Sequence, residues 1–265
     1  MPRYHRRRKG AGTTPFCPVQ TPRETLLAIE RAAVRSWPAL ETADIAGWLW
    51  RHASGGSLRA NSVSALAFMG AGVDAAVAEA EQRYHAKGAP CRFTITEVSA
   101  PADLDQRLAA LGYARGADHV TMAKAVDPAA AMPADVEIEA EPTPGWLAVY
   151  LAGLSADRQG IAPTILAGLP GPRVFLGCRR AGEVVGSGLT IIDGDLASVQ
   201  CMATLAQARR QGSARAVLAA IEAQAAAHGC RHLYLQAETA NAAAITLYQR
   251  FGFHVAGKYH VRAKP

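Results

Sequence analysis

The sequence predicts an α+β protein made of two tandem copies of one unit, each a mixed, mostly antiparallel twisted sheet flanked by helices. Three observations predict this fold class. Half of the 265 residues are apolar and only 19% are charged, which is enough to bury one large core or two smaller ones. Segments from the two halves of the chain resemble each other. In the C-terminal half, hairpin and helix signals follow one another in a regular order.

The internal repeat consists of two pairs of similar segments. EQRYHAKGAPCRFTITEV (81–98) resembles EAQAAAHGCRHLYLQAET (222–239), with Gly88 aligned to Gly229. ALGYARGADHVTMAKA (110–125) resembles RFGFHVAGKYHVRAKP (250–265). DPAAAMPAD is rich in Pro and Ala and has no periodicity, which is typical of a linker. The sequence therefore predicts a tail at 1–19, a first unit at 20–126, a linker at 127–135 and a second unit at 136–265.

The second unit can be divided into elements by periodicity and turn residues. Strands alternate or are continuously apolar, and helices show apolar residues three and four positions apart. Thr143 and Asn241 are candidate helix caps, and Gly229 is a candidate helix end. The elements in order are strand 136–140, helix 143–154, a second helix, strands 173–180, 183–193 and 196–205, a helix ending at Gly229, strand 232–238, a helix from 242, and a final strand.

Charge and cysteine content narrow the class of protein. Five of the formal +6 charges lie within MPRYHRRRKG, so the remainder is almost neutral and the basic block is predicted to be a solvated tail. Binding of nucleic acid by this tail stays the less favoured alternative. The five cysteines are widely spaced, which does not indicate a disulfide framework or a metal site. Since the sequence has neither a membrane span nor a secretory signal, we expect a cytoplasmic protein without a metal.

The stretch ARRQGSARAVLAAIEAQAAAHG (208–229) has an unusual helix start. A strand leads directly into a helix whose first residues are Gly212-Ser213-Ala214, which leaves several backbone N–H groups unpaired at one point. Together with the helix dipole and the charges of Arg209 and Arg210, these groups predict a pyrophosphate site. The spacing fits neither a P-loop nor a dinucleotide-binding motif. A polar helix start with solvated arginines remains the alternative.

Asn241 and Tyr248 form a polar line on the next helix. They are seven residues apart, so their directions around a helix differ by only about 20°. Asn241 as a simple N-cap and Tyr248 as a core aromatic are the structural alternatives.

These residues resemble the GNAT superfamily of acyl-CoA N-acyltransferases. Its cofactor signature is Arg or Gln, two variable residues, Gly, one variable residue, then Gly or Ala, and Arg209-Arg210-Gln211-Gly212-Ser213-Ala214 matches it throughout. Asn241 followed by Tyr248-Gln249-Arg250-Phe251-Gly252-Phe253 is similar to a later signature. The match extends over about 136–265 and, more weakly, over about 20–126.

The resemblance implies an N-acetyltransferase that moves an acetyl or other short acyl group from acetyl-CoA to a primary amine by direct attack. A splayed pair of parallel strands would bind the cosubstrate. Its pantetheine arm would pair with backbone groups of Met202, Ala203 and Thr204. Asn241 would reach the pantetheine or the acceptor, and Tyr248, with a near-normal pKa, would protonate the leaving thiolate. The pyrophosphate would be bound by the segment from Arg209 through Arg210, Gln211, Gly212, Ser213 and Ala214 to Arg215.

The general base is the least defined part of this mechanism. Glu238, at the end of the strand that precedes Asn241, is the first candidate. Gln200 could position a water, and Asp193 and Asp195 are weaker candidates. Cys201 could form an acyl-enzyme, but no His lies near it in sequence, so direct transfer is favoured.

The first unit serves as an internal control. In the alignment Arg209–Ala214 falls on Phe68–Val73, Asn241 on Pro101 and Tyr248 on Leu108. We therefore expect a degenerate copy with no productive acyl-CoA site, which shapes the acceptor pocket or extends the sheet as a dimer partner would. Its richest polar and aromatic cluster lies at 48–51 and 59–62, although Trp48 and Trp50 could simply pack as strand residues at the domain interface.

Several questions of function stay open at this stage. The acceptor could be a small molecule or a peptide amine, and the protein a monomer or a homodimer. No membrane partner is expected, and nucleic acid is a less favoured partner. The main alternative function is a non-catalytic protein that binds or senses acyl-CoA.

Overall fold

The computed structural model describes residues 21–265. The predicted basic tail at 1–19 and Cys17 lie outside the described residues. Within residues 21–265, no helix is both long and apolar enough to cross a membrane.

From residue 21 to the linker, the chain contains three helices and five strands. In chain order they are α1 (Arg23–Arg35), β1 (Glu41–Ile45), β2 (Trp48–His52), β3 (Val63–Ser64), α2 (Val73–His85), β4 (Cys91–Thr96), α3 (Leu104–Ala110) and β5 (Ala114–Ala125). Residues 126–135, where the linker was predicted, contain neither helix nor strand.

The second half contains four helices and seven strands. In chain order they are β6 (Val136–Glu139), α4 (Pro144–Ala152), α5 (Ala156–Ala167), β7 (Arg173–Arg180), β8 (Glu183–Asp193), β9 (Leu196–Ser198), β10 (Gln200–Thr204), α6 (Ser213–Ala227), β11 (His232–Glu238), α7 (Ala242–Arg250) and β12 (His254–Lys264). This order agrees with the prediction, including the Thr143 cap on Trp146 N. The single strand predicted at 196–205 is wrong, because the chain breaks at Val199 into β9 and β10.

All twelve strands belong to one continuous, mostly antiparallel sheet. The order across it is β1-β2-β3-β4-β12-β5-β11-β9-β8-β7-β6, with β10 attached to β8. Parallel pairs occur once in each half, between β3 and β4 and between β9 and β11. The predicted class, a mixed sheet flanked by helices and containing a parallel strand pair, is confirmed.

The two halves exchange their last strands. The C-terminal strand β12 lies between β4 and β5 of the first half and pairs with both. The last strand of the first half, β5, pairs in turn with β11 of the second half over seven residues, from His119↔Glu238 to Ala125↔His232. The halves are therefore joined by backbone hydrogen bonds as well as by side-chain packing.

The repeat in the sequence corresponds to a repeat in the structure. Gly88 and Gly229 follow α2 and α6 with φ of +61° and +72°, the left-handed conformation that ends a helix. Gly112 and Gly252 occupy the same position after α3 and α7, with φ of +84° and +97°. Each glycine precedes a strand, so α2-β4-α3-β5 and α6-β11-α7-β12 are two copies of one arrangement.

Helix α1 covers one face of the sheet at the junction of the two halves. Leu26, Ile29 and Ala33 pack in one cluster with Ala123 of β5 and Tyr234 of β11. The hydroxyl of Tyr234 also donates to Ser36 Oγ at 3.1 Å. On the opposite face, α6 and α7 bury Val217, Leu218, Ile221 and Tyr248 against β11. The strands of the second copy are thus covered on both faces.

Candidate active site

The parallel strands of the second half separate at Val199. Three residue pairs join β9 to β11, ending at Ser198↔Tyr234, and the amide of Val199 donates to Tyr234 O at 2.8 Å. The next strand, β10, pairs with β8 and has a register shift beside Cys201, whose φ is +52°. Beyond Val199 the edge of β10 that faces β11 therefore has no strand partner in the described part of the chain. The two strands form the splayed pair that the sequence predicted.

The backbone of Met202, Ala203 and Thr204 lies along one side of this gap. Ala203 and Thr204 are in register with Ser187 and Gly186 of β8, so one edge of β10 is already paired. The other edge faces the gap, and all three residues are half-buried. Backbone groups along this edge can pair with an extended ligand as with an added strand.

The turn after β10 presents a row of free amides. Gly212 has φ of +86° and caps α6, and no atom lies within 4 Å of the position that a Cβ there would occupy. The first backbone bond across the cap is from Ala216 N to Gly212 O, at 2.9 Å. Within residues 21–265, the six amides from Arg210 to Arg215 have no protein acceptor. Such a row at a helix N-terminus favours an anion.

Positive side chains surround this row of amides. Arg209, Arg210 and Arg215 are exposed, and none forms an ion pair with a described carboxylate. Arg209 Nε donates to Thr204 O at 3.3 Å and so lies beside the end of β10. Gln211 is exposed and donates to Gln207 O, whereas the side chain of Ser213 is buried. Ser213 and Ala214 can therefore contribute backbone amides to an anion rather than side-chain groups.

Helix α7 holds the two polar residues predicted after β11. Asn241 is the N-cap, and its Oδ1 accepts from Ala244 N at 3.2 Å, which leaves its Nδ2 group free of described acceptors. Tyr248 is 8% exposed and packs against Phe253 with ring centroids 5.9 Å apart. Its hydroxyl has no hydrogen-bond partner among the described residues. Each residue therefore has a structural role and also a polar group left for a ligand.

The expectation that Tyr248 has a near-normal pKa is wrong. Burial raises the pKa of its hydroxyl to about 12. The phenol is consequently protonated at physiological pH and can donate a hydrogen bond, although burial also makes it a weaker acid than a free phenol.

The candidate bases lie at different ends of the strands. Glu238 ends β11 and is exposed, three residues before Asn241 and in register with His119. Asp193 and Asp195 lie at the opposite ends of the strands and form ion pairs with Arg35 and Arg231. Both stay weaker candidates than Glu238, because these ion pairs engage their carboxylates at the start of β9.

Neither Gln200 nor Cys201 is suited to the catalytic role considered for it. The side chain of Gln200 donates to Ser36 O and Ser198 Oγ at 3.2 and 3.0 Å and accepts from Arg59, so it has no group free to position water. Burial raises the pKa of Cys201 to about 12, which disfavours the thiolate that an acyl-enzyme would require.

One feature near the gap was not predicted from the sequence. A cavity of about 50 Å³ lies on the α1 face of the sheet. Its polar and aromatic lining includes Glu30, Arg51, Arg59, His119, Gln236 and Tyr259. The available signal was Glu30 itself, which follows Ile29 on the apolar stripe of α1 and is only 4% exposed.

Comparison with known proteins identifies the family. A family model described as "Probable histone acetyltransferase Rv0428c C-terminal" matches residues 25–262. The chain belongs to this family. The description of this family as an acetyltransferase agrees with the splayed strands and the amide row.

Curated and solved relatives agree with this assignment. The uncharacterized N-acetyltransferase YobR of Bacillus subtilis (strain 168) is 29% identical over 244 residues, which cover 89% of this chain and 97% of YobR. A GCN5-related N-acetyltransferase from Kribbella flavida has a similar fold, with a TM-score of 0.66, 18% identity, and coverage of 90% of this chain and 95% of that one. A tandem GNAT protein from the clavulanic acid biosynthesis pathway aligns with a TM-score of 0.62 and 13% identity, covering 89% and 87% of the two chains. The fold is therefore that of a tandem GNAT acetyltransferase.

Proposed function

We propose that this protein transfers an acetyl or other short acyl group from acetyl-CoA to a primary amine by direct attack in a ternary complex. The observation that carries the proposal is the gap between β10 and β11 together with the six free amides from Arg210 to Arg215. An extended arm fits the open edge of a strand, and a pyrophosphate fits a row of amides with three arginines beside it. Both features occur on one continuous segment, 200–215.

Each predicted binding residue has a role in this arrangement. Met202, Ala203 and Thr204 offer backbone groups to the pantetheine arm, and the amides from Arg210 to Arg215 face the pyrophosphate. Arg209, Arg210 and Arg215 add full charges. Asn241 offers its free Nδ2 group to the pantetheine or the acceptor. Acetyl-CoA supplies the activated acyl group.

The proton balance determines what the protein must do. The acceptor starts as an ammonium ion and ends as an amide, so its nitrogen loses two protons as the C–N bond forms and the C–S bond breaks. One proton neutralises the thiolate of the released CoA, and the other passes to a base and then to solvent. Tyr248 is proposed to donate to the thiolate as it develops, because its hydroxyl stays protonated and is otherwise unbonded. Glu238 is proposed as a base at the exposed end of β11.

The test is acetyl transfer by Tyr248→Phe, measured as free thiol release in the presence of a broad panel of amines. We expect kcat to fall by about 100-fold or more, the range for loss of a general acid, with the Kd for acetyl-CoA unchanged. Tyr113→Phe is the matched control, since Tyr113 is also buried but lies in the first half. Full activity of Tyr248→Phe would refute the acid role. Binding of acetyl-CoA without transfer to any amine would favour the alternative, a sensor of acyl-CoA.

A further inference from the structure

The cavity on the α1 face is lined by residues of both halves and touches β11, one of the two strands of the gap. Gln236 lines it from β11, two residues beyond Tyr234, where pairing with β9 ends. Arg59 lines it from the first half and donates to Gln200 Oε1, at the start of β10, at 3.4 Å. The cavity is therefore next to the place where the strands separate.

A row of side chains connects the cavity to the end of β11. His119 of β5 is in register with Glu238 on one side and with Tyr259 of β12 on the other. The rings of His119 and Tyr259 stack with centroids 4.7 Å apart and form one wall of the cavity. Because β12 has crossed from the second half, strands of both copies supply this wall.

A buried carboxyl group lies at one side of the cavity. Glu30 is 4% exposed, and its two oxygens accept hydrogen bonds from Thr121 Oγ1 and from Gln236 Nε2, the latter at 3.0 Å. Among residues 21–265 no Lys, Arg or His forms an ion pair with it. Burial raises its pKa to about 7, so it changes protonation within the physiological range. A cation entering the cavity would be its first charged partner.

Two positive charges line the same cavity without a carboxylate partner. Arg51 is 3% exposed and donates to the carbonyl oxygen of Trp37. Arg59 stacks on the Trp37 ring at 4.4 Å. Burial and the charge of Arg59 lower the pKa of Arg51 to about 10, which still leaves it charged at neutral pH. Uncompensated buried guanidinium groups are costly, and a bound carboxylate would offset that cost.

We propose that this cavity is the acceptor site and that it receives a small amine that also carries a carboxylate, with the ammonium at Glu30 and the carboxylate at Arg51 and Arg59. This inference rests on the proposed acetyl transfer and adds the chemical class of the acceptor. The charges of opposite sign that line the cavity suit a small zwitterion.

Glu30 then has a defined chemical role. Its carboxylate removes one proton from the acceptor's ammonium, and the neutral amine attacks the thioester carbonyl. The second nitrogen proton replaces, directly or through solvent, the one that Tyr248 donates to the thiolate. Glu30 afterwards releases its proton to solvent. Glu238, which is exposed at the end of β11, is then not needed as the primary base.

The first experiment compares matched sets of acceptors by free thiol release. Each set contains an amino acid, its carboxamide and its decarboxylated amine, for example L-alanine, L-alaninamide and ethylamine. We expect kcat/KM for the preferred amino acid to exceed that of its two analogues by about 100-fold, the effect of losing a bidentate charged contact. Equal rates within every set would overturn the inference and leave the proposed function intact.

The second experiment tests the arginine end. In Arg59→Gln, KM for the amino acid should rise by about 50-fold while KM for the decarboxylated amine stays within about twofold, since only the former has a carboxylate to lose. Arg35→Gln is the control, because Arg35 is exposed and pairs with Asp193 on the surface. A change of equal size for both acceptors would indicate a structural role for Arg59 and contradict the inference.

The third experiment follows the pH dependence of kcat/KM. In the wild type, activity should rise with pH and level off above about 7, as Glu30 ionises. In Glu30→Gln the rise should move to the pKa of the free amine, with a loss of about 100-fold at pH 7. Glu24→Gln, exposed on the same helix, is the control. The charged or titratable groups that face or influence Glu30 are Glu97, Arg51, Arg59, His119 and Tyr259.

Failure of the inference and failure of the proposed function give different results. An unchanged profile in Glu30→Gln would exclude it as the base, although transfer itself would continue. A wild type that binds acetyl-CoA and acetylates only amines without a carboxylate would also refute the inference. Absence of acetyl-CoA binding, measured by calorimetry, would refute the proposed function instead.

Discussion

The two turns that lead into α2 and α6 show how one fold can be built with and without an anion site. Before α6, Gly212 is left-handed at φ +86° and no neighbouring atom lies within 4 Å of a Cβ placed there. Before α2, Gly72 has φ of −142°, and the preceding turn is packed against the first hairpin. Phe68 packs against Trp48 with tilted rings whose centroids are 5.0 Å apart, and Met69 N donates to Ala46 O. A Cβ on Gly70 would lie 2.7 Å from that of Ala46. Helix α2 therefore forms without arginines or an open turn before it, so these features of α6 are not required for folding of the helix.

The same contrast holds for the helices that follow. Tyr248 of α7 carries a hydroxyl without a described partner, whereas Leu108 of α3 is fully buried in the core of the first copy. That the first copy lacks a productive acyl-CoA site stays a prediction, which the packed turn before α2 and the apolar Leu108 favour. The variants below test whether this contrast is functional.

The largest effect is expected from Arg209→Ala/Arg210→Ala. Loss of two charges beside the amide row should weaken acetyl-CoA binding by about 100-fold, since charged hydrogen bonds to phosphate are among the strongest polar contacts. Calorimetry with acetyl-CoA, and separately with acetyl-pantetheine, distinguishes the cause, because the second ligand has no phosphate. Arg231→Ala, at the other end of α6, should leave both affinities unchanged. Equal weakening for both ligands would contradict phosphate binding at this turn.

A smaller effect is expected from Gly212→Ala. A side chain at φ +86° is strained by roughly 1–2 kcal/mol. A backbone rotation that relieved this strain would turn the amides of the row away from the bound pyrophosphate. Acetyl-CoA affinity should therefore fall about tenfold. Gly72→Ala is the matched control in the first copy, where φ is ordinary and the nearest atom is 3.9 Å away. If both variants lost affinity equally, the contrast between the turns would have no functional meaning.

The hydroxyls of Tyr113 and Tyr248 should contribute differently to the free energy of unfolding. The hydroxyl of Tyr113 donates to Glu81 Oε1 at 3.0 Å, so Tyr113→Phe should lower the free energy of unfolding by about 1 kcal/mol. Tyr248→Phe removes a hydroxyl without a described partner and should change stability by less than about 0.5 kcal/mol. Urea unfolding measures both values. A clear destabilisation by Tyr248→Phe would reveal a structural bond for that hydroxyl.

An effect on stability of similar size concerns the contact of the first copy with β12. Asp105 of α3 accepts from Arg262 Nε at 2.7 Å and from His260, and these partners lower its pKa to about 2. A lowered pKa stabilises the fold above the unfolded-state value near 3.8, and this contribution disappears as pH falls through about 2. Because the side chain is 37% exposed, Asp105→Asn should cost only about 1 kcal/mol at pH 7.

Unfolding as a function of pH checks the Asp105 prediction. The difference between wild type and Asp105→Asn should shrink below about pH 4 and vanish near pH 2. Asp103→Asn, which breaks an exposed ion pair with Arg107 on the same helix, is the control and should cost less than about 0.5 kcal/mol. If the difference in the free energy of unfolding did not depend on pH, the charge of Asp105 would not be the cause of the lost stability.

The sequence was informative wherever a local rule determines the structure. Gly229 and Gly252 end helices because the left-handed conformation favours glycine, and Thr143 and Asn241 cap helices through their own side chains. The splayed strands and the free amides followed from the signature at Arg209–Ala214. The bulge at Cys201 did not, since a single non-glycine residue with positive φ has no reliable sequence signal.

Features that depend on contacts between distant parts of the chain were not predicted, because no local sequence rule determines them. The exchange of β5 and β12 depends on which strand edges meet, and equivalent strands of two similar copies have similar patterns. Trp48 and Trp50 do pack as strand residues, but within the core of the first copy rather than at the interface. Gln200 was considered free because its partners Ser36 and Arg59 lie more than 140 positions away in sequence.

The position of β12 has a consequence for how the chain folds during synthesis. This strand occupies residues 254–264, so it is synthesised after the other eleven described strands, yet it pairs with β4 and β5, which are synthesised much earlier. The first copy therefore cannot complete its sheet until residues 254–264 have been synthesised. Closing a loop from β4 to β12 requires most of the polypeptide, which gives the fold a high contact order and makes its final step slow. A nascent chain stalled before residue 254 would expose the facing edges of β4 and β5 to other chains.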